Sequence, residues 1–292
     1  MKPESSSVGK SLWAEAFDRM KKQRLTVLSF LIVILYSFMA LGSYFELIAS
    51  PWDVSLGESY GKPSFDQISS IFGFDIFGRS VLYKAIHGAQ VAMTIGLISS
   101  LLSVFIGTFL GAIAGYFGGW IDDLIVWLYT TFASIPYIML LIAVAFVLEK
   151  GIFSICVAIA ATSWVGLCRM VRAEFVKHKE REYVLAARSI GASHAARMFK
   201  HILPNVFHQV IINFSIQFQS AIKSEVILSY LGLGVQDMPS WGIMIDDSKL
   251  ELARGVWWQL SAATLFMMFL VLAFNLLGDS LRDSLDPKLR SN

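Results

Sequence analysis

The sequence predicts an all-α integral membrane protein with six transmembrane helices, and three observations predict it. Apolar residues make up 55% of the 292 positions and charged residues only 16%, against about 25% charged in a typical soluble domain. The chain has room for roughly six apolar runs of about 20 residues, the length that crosses a hydrocarbon core, with nothing left for a separate catalytic domain. One basic island, residues 169–205, interrupts the apolar runs: Arg169, Arg172, Lys177, Lys179, Arg181, Arg188, Arg197 and Lys200 face only Glu174, Glu180 and Glu182, while the whole chain is +2. Loops rich in Lys and Arg stay on the cytoplasmic side, so this island sets the expected orientation.

Residues 1–24 are polar and basic and read as a cytoplasmic tail, with an amphipathic turn around Leu12, Trp13, Ala16 and Phe17. Gly9-Lys10-Ser11 imitates the end of a phosphate-binding loop, but Glu4 stands where its first glycine belongs and no strand precedes it, so ATP is not expected there. Residues 25–45 are uncharged, longer than a signal peptide's apolar core, and read as a retained first span. An extracytoplasmic loop is expected over 46–88. In the second span, about 89–116, Gly107, Gly111 and Gly115 recur every four residues and Ser100 and Ser103 extend the same face, a pattern that packs helices backbone to backbone. Asp122 and Asp123 fall at a helix start, where carboxylates meet the positive end of the dipole.

A third span is expected over 124–148, kinked at Pro136, whose freed carbonyl calls for a Ser or Thr hydroxyl. A short fourth span, 152–168, leads into the basic island. There Ala186-Ala187 lets two helices approach, Gly191 ends one helix in the left-handed conformation, Ser193 caps the next and Pro204 stops it. The product is a rigid knob that a soluble partner can grip. The simpler alternative is a basic loop lying on anionic headgroups, anchored by Phe175, Tyr183 and Phe199.

In the fifth span, about 206–235, Asn213, Gln217, Ser220 and Ser224 recur at four, three and four residues and share one face. Such a stripe is either interhelical glue or a water-filled path, and the ionisable Lys223 and Glu225 near its end add to the path reading. Residues 236–256, with Asp237, Asp246, Asp247 and Glu251, are expected outside. Trp257 and Trp258 mark an interfacial belt, the sixth span reaches about 278, and 279–292 form a second cytoplasmic tail. Cys156 and Cys168 read as small apolar residues. His194, His201 and His208 recur every seven residues, but Pro204 breaks that register, so they read as exposed loop histidines rather than a metal site. The near-neutral charge carries no nucleic-acid signal.

Three stretches resemble one family. Ala186-Ala187, Gly191, Leu203 and Pro204 match the Glu-Ala-Ala, Gly, Ile-x-Leu-Pro coupling motif of ABC importer permeases, with Leu185 in place of its glutamate and His201 in place of its first isoleucine. Asp75-Ile76-Phe77-Gly78-Arg79-Ser80-Val81-Leu82 resembles the Asp-x-x-Gly-Arg-Asp-Val-Leu element of oligopeptide, dipeptide and nickel permeases, and also reads as a turn capping the second helix. Glu225 to Val235, followed by Pro239-Ser240-Trp241-Gly242, resembles the same permeases' Glu-x-x-Leu-Ser-Phe-Leu-Gly-Leu-Gly-Val … Pro-Ser-Trp-Gly signature; the ending Asp279 to Asp283 and Asp286-Pro287 also fits.

The resemblance implies the C-type subunit of a peptide-class importer with the type I ABC importer permease fold. It implies ATPase coupling through Glu182, Tyr183, Ala186, Ala187, Gly191, Ala192, Leu203 and Pro204, and an extracytoplasmic signature at Asp75, Gly78, Arg79, Pro239, Trp241 and Gly242. The implied partners are a homologous second permease, two cytoplasmic ATP-binding subunits that carry ATP and magnesium, and an extracytoplasmic solute-binding protein. The setting is the bacterial inner membrane with both termini inside, and the chain itself has no cofactor and no enzymatic activity. The candidate path is Asn213, Gln217, Ser220, Lys223, Ser224 and Glu225. The alternative is a self-contained secondary transporter or channel that uses this polar face without ATP; inverted repeats with broken helices are its mark.

Overall fold

A computed structural model describes residues 12–148, 150–236 and 238–285, with side chains from Phe17 onward. The order is α1 (Leu12–Lys22), α2 (Arg24–Tyr44), α3 (Val81–Phe117), α4 (Gly119–Ser134), α5 (Tyr137–Val147), α6 (Ile152–Ser163), α7 (Val165–Lys179), α8 (Glu182–Ser189), α9 (His194–Ala196), a π-helical turn (Arg197–Ile202), α10 (Leu203–Tyr230), α11 (Trp241–Leu252) and α12 (Trp258–Leu285). Among the described residues there is no strand, only isolated bridges joining Ser55 to Arg79 and Phe74 to Ser80.

The bundle is built around α3. Its 37 residues make a rod of about 55 Å at 1.5 Å per residue, longer than a hydrocarbon core of about 30 Å. Helices α2, α6, α7, α10 and α12 all pack on it. Small residues permit this crowding. A β-carbon at Gly107 would lie 2.8 Å from the Trp164 carbonyl oxygen, and one at Gly115 would lie 2.5 Å from that of Arg172. Gly96 leaves room for the Phe218 ring of α10, which in turn stacks on Phe274 of α12 with centroids 3.7 Å apart. Asp122, in the first turn of α4, receives the Arg172 guanidinium, Nη2 donating at 2.6 Å, and so ties α4 to α7.

Several expected boundaries move. Helix α3 starts at Val81 rather than near 89, because Ser80 caps it: Ser80 Oγ accepts from the Tyr83 amide at 3.3 Å. Pro136 breaks the third apolar stretch instead of kinking it. Ile135 is forced into the extended region (φ −94, ψ 132) by the proline that follows, and α4 and α5 meet at 95°. The fourth stretch does not end at Cys168; it bends by 43° at Trp164 and continues as α7 to Lys179. The bend has a polar cause: Gln217 donates to the Ser163 carbonyl at 2.6 Å while Ser163 Oγ donates back to Ile159 O at 2.7 Å, which loosens the helical ladder. Pro204 begins a helix rather than stopping one, since it sits in the first turn of α10, where a missing N–H costs nothing.

The expected outer loop contains α11, and the last helix runs past 278 to Leu285. Of the two belt tryptophans, Trp257 is exposed, but Trp258 is buried and donates to Phe74 O at 2.9 Å. The three histidines are not in loops: His194 lies in α9, His201 in the π-helical turn and His208 in α10. Phe175, an anchor in the alternative in which the basic loop lies on headgroups, is fully buried against the α3–α7 core. Among the described residues, α2, α3 and α12 are long and apolar enough to cross a membrane, and the α4–α5 and α6–α7 pairs bring the number to 5. The phosphate-loop lookalike, Glu149, Asp237, Asp286 and Pro287 lie outside the described residues.

Candidate coupling knob and translocation cavity

The knob is local chemistry made rigid. Helix α8 ends in a double hydrogen-bonded turn: Gly191 N–H donates to Arg188 O and Ala192 N–H to Ala187 O, both at 3.0 Å. Gly191 holds φ +84, a conformation that costs an L-residue with a β-carbon but not glycine. Ser193 Oγ then accepts from the Ala196 amide at 3.2 Å and opens α9. The two alanines divide: Ala187 is buried and seats α8, whereas Ala186 is exposed. Glu182, Tyr183 and Ile190 are exposed as well, Ile190 at 85%. Tyr183 Oη bonds His178 Nδ1 at 2.7 Å. Leu203 is half-buried and Pro204 exposed. Because the π-helical turn joins α9 to α10 without a loop, α9 and α10 form one continuous helical piece, to which α8 is tied by the turn at 190–193.

The polar face of α10 does two jobs. Asn213 Nδ2 donates to Gln209 O at 3.0 Å and lies 3.2 Å from Met170 Sδ, and Gln217 Nε2 reaches Ser163 O and, at 3.3 Å, Ser103 Oγ. All but the Asn213–Gln209 bond, which lies within α10, are links between helices. Gln217 and Ser220 also line a cavity of about 480 Å³, together with Pro136, Tyr137, Ser163 and Gly166. The cavity lies where the α4–α5 break, the α6–α7 bend and α10 meet. Ser224 bonds the Tyr137 hydroxyl at 2.9 Å. Lys223 and Glu225 part company: Lys223 is exposed, while Glu225 is buried and accepts from Ser229 Oγ at 2.6 Å, beneath the α10–α11 turn. Neither lines this cavity.

At the opposite end of α3, Asp75 organises the long loop. Its carboxylate accepts from the Phe77 and Arg79 amides at 2.9 Å, from Arg79 Nε at 2.8 Å and from Lys84 Nζ at 3.1 Å. Burial would raise the Asp75 pKa, but Lys84 and Arg79 hold it below the ordinary value. Gly78 passes against the Gly57 carbonyl, where no β-carbon fits. Pro239 is buried, Ser240 caps α11, and Trp241 Nε1 donates to Ala85 O at 2.9 Å. Gly242 leaves space for Ser229. The signature residues thus fasten the loop and α11 to the top of α3.

Sequence reasoning missed Lys84 and Gln259, and saw Glu251 only as one of the outer-loop acids; the three complete that cluster. Lys84 Nζ also donates to Gln259 Oε1 at 3.0 Å and lies 3.6 Å from Asp247. Glu251 is 4% exposed and its Oε2 has no partner within the protein. Burial, aided by Asp247 and Asp75 and opposed by Lys84 and Arg79, pushes its carboxyl up to about 7. A lysine four residues into a long apolar helix was the available signal for Lys84. In the cavity, the missed residues Tyr137 and Ser163 are single polar positions beside the two bends, and nothing short of the bends reveals them.

Residues 107–291 match the family described as "Binding-protein-dependent transport system inner membrane component". The chain is 35% identical over 277 residues to the dipeptide transport system permease protein DppC of Bacillus subtilis (strain 168), covering 94% of this chain and 86% of that protein. The oligopeptide transport system permease protein OppC of the same organism is 33% identical over 281 residues, covering 96% and 91%. The glutathione transport system permease protein GsiD of Shigella dysenteriae serotype 1 is 34% identical over 281 residues, covering 95% and 91%. Among solved structures, a chain of the MetNI methionine ABC transporter, captured facing inward, superposes with a TM-score of 0.53 at 15% identity over 69% of this chain and 96% of that one; that likeness concerns the fold alone. The family match over most of the chain, the relatives along nearly its whole length and the shared permease fold agree: this chain belongs to the binding-protein-dependent transport system inner membrane components.

Proposed function

We propose that the chain is the C-type permease subunit of an ATP-driven importer that receives peptides from an extracytoplasmic solute-binding protein. The observation that carries this is the knob: α8, closed at Gly191, offers Ala186 and Ile190 outward and is joined by the hydrogen-bonded turn at 190–193 to α9, which runs on through the π-helical turn into α10, whose Gln217 and Ser220 line the cavity. A pull on α8 therefore passes through one tight hydrogen-bonded turn to the helical piece that reaches the cavity wall. In this reading, six crossings are made by α2, α3, α4–α5, α6–α7, α10 and α12, with both termini and the knob in the cytoplasm of a bacterial inner membrane. A second permease completes the path, and two ATP-binding subunits hold ATP and magnesium and supply the differential binding energy that alternation requires. Peptide is favoured as solute because the dipeptide, oligopeptide and glutathione permeases cover almost the whole chain.

A self-contained secondary transporter is the second reading, favoured by the 95° break opening on the cavity. Co-purification tests the choice. Tagged wild-type chain, drawn from native membranes in mild detergent, is expected to bring down ATP-binding subunits and a second permease. Ala186→Trp, on the outward face of α8, is expected to lose the ATP-binding subunits while keeping the second permease. Wild-type chain arriving alone, or Ala186→Trp retaining every subunit, contradicts the reading.

A further inference from the structure

Beside the knob lies a second cavity, about 460 Å³, between the C-terminal end of α3, the end of α7, α8 and α9. Lys179, Arg188, Arg197 and His194 line it, with Glu180 as the one carboxylate. Among the described residues none of Lys179, Arg188 and Arg197 forms an ion pair, and the Nε of Arg197 is buried with no acceptor in the protein. The remaining wall is aromatic. The Arg197 guanidinium lies 5.8 Å from the Tyr116 ring centroid, His194 Nδ1 bonds Tyr116 Oη at 3.0 Å, and the Phe117 ring stacks on His194. Three cations converging on a cavity, one carrying a buried unsatisfied donor, call for an anion with several acceptor oxygens. The chemistry fits a phosphate.

We infer that this groove holds the phosphate headgroup of an anionic phospholipid. Position favours a lipid. Tyr116 and Phe117 end the long apolar rod α3, and the next exposed aromatic, Trp120, is 74% exposed, as expected of residues at headgroup depth. Basic pockets at the cytoplasmic ends of membrane helices suit such headgroups. The face offered to a soluble partner is different: Arg188 points to the groove, whereas Ala186 and Ile190 lie outside it. The lipid ties the knob to the bilayer, so that α8 moves against the membrane rather than drifting with the ATP-binding subunits. This rests on the cytoplasmic placement of the knob proposed above.

The test equilibrates the purified complex with mixed phosphatidylglycerol and phosphatidylcholine and counts retained lipids by native mass spectrometry. Wild type is expected to retain phosphatidylglycerol selectively. Arg188→Gln and Arg197→Gln are each expected to weaken retention by about fivefold, the worth of one surface cation. Arg188→Lys and Arg197→Lys, which keep the charge, are expected to restore most of it, and Lys200→Gln, outside the groove, to change nothing. Equal retention in wild type and both Gln variants overturns the inference. So does displacement of the lipid by an equal concentration of inorganic phosphate, which makes the groove a free-anion site. Release of the ATP-binding subunits by the Gln variants with lipid retained also overturns it, by giving the groove to a protein partner. Absence of ATP-binding subunits from the wild-type preparation counts against the importer reading instead and leaves the lipid count to stand or fall separately.

Discussion

At Gly111 the backbones of α3 and α7 lie so close that a β-carbon would sit 2.6 Å from the Cys168 carbonyl oxygen and 2.9 Å from Val171 Cβ. Neither neighbour is a flexible side-chain tip, so Gly111→Leu must push the helices apart. A cost of about 1–3 kcal/mol is expected, seen as a lowered thermal unfolding midpoint in detergent, whereas the same change at Gly166, which faces open space, should be far milder. Equal effects at the two glycines would contradict the packing. Glu251 offers a second residue-scale test. Its folded-state pKa, about 7, lies above the ordinary glutamate value of 4.5, so its favourable contribution is complete below the lower value and is lost as pH rises through the upper one. Asp75, held below its ordinary value, acts in the opposite sense and loses its contribution only in acid. Hydrogen exchange in α11 should therefore quicken from about pH 4.5 to above 7, beyond the intrinsic rate change. Glu251→Gln should abolish that excess; an unchanged excess in the variant would rule Glu251 out as its source.

Among the elements, what could be read in advance was whatever depends on neighbours in sequence. The Gly191 turn, the Ser193 cap and the four-residue glycine repeat need only local spacing. Pro136 marked the α4–α5 break locally, though not its 95° angle, whereas the α6–α7 bend did not yield to such reading because its cause is distant. The α6–α7 bend depends on Gln217, more than fifty positions away, taking the Ser163 carbonyl. The polar face of α10 was visible as a stripe, but the cavity it lines exists only because α4–α5 folds away by 95°. Pro204 misled for a related reason: the π-helical turn before it absorbs the register change, so the proline begins α10 rather than ending α9. We propose that this turn also takes part in coupling, since π-bulges inside helices are frequent at functional points. Deleting Lys200 removes one residue from it and rotates α8–α9 by about 100° relative to α10, one residue's worth of helix. ATP hydrolysis by the assembled complex is expected to persist while solute uptake fails. Uptake at the wild-type rate would show that the turn transmits nothing.

Across the whole molecule, two fastened ends flank a looser middle. The loop end is pinned by Asp75, Lys84 and Trp241, and the knob end by the α3–α7 glycine seam and the Arg172–Asp122 pair. Between them lies the cavity, where the α4–α5 break and the α6–α7 bend meet α10. Such a body can rock as a unit when α8 is pulled, with the change in access concentrated at the cavity. The most direct measurement is uptake of a radiolabelled dipeptide into proteoliposomes containing the co-purified complex and its binding protein, with ATP enclosed or omitted. Uptake that requires ATP and falls sharply in Ala186→Trp is the expected result. Uptake by this chain without ATP or ATP-binding subunits would contradict the account and make the α10 cavity the core of a self-contained transporter.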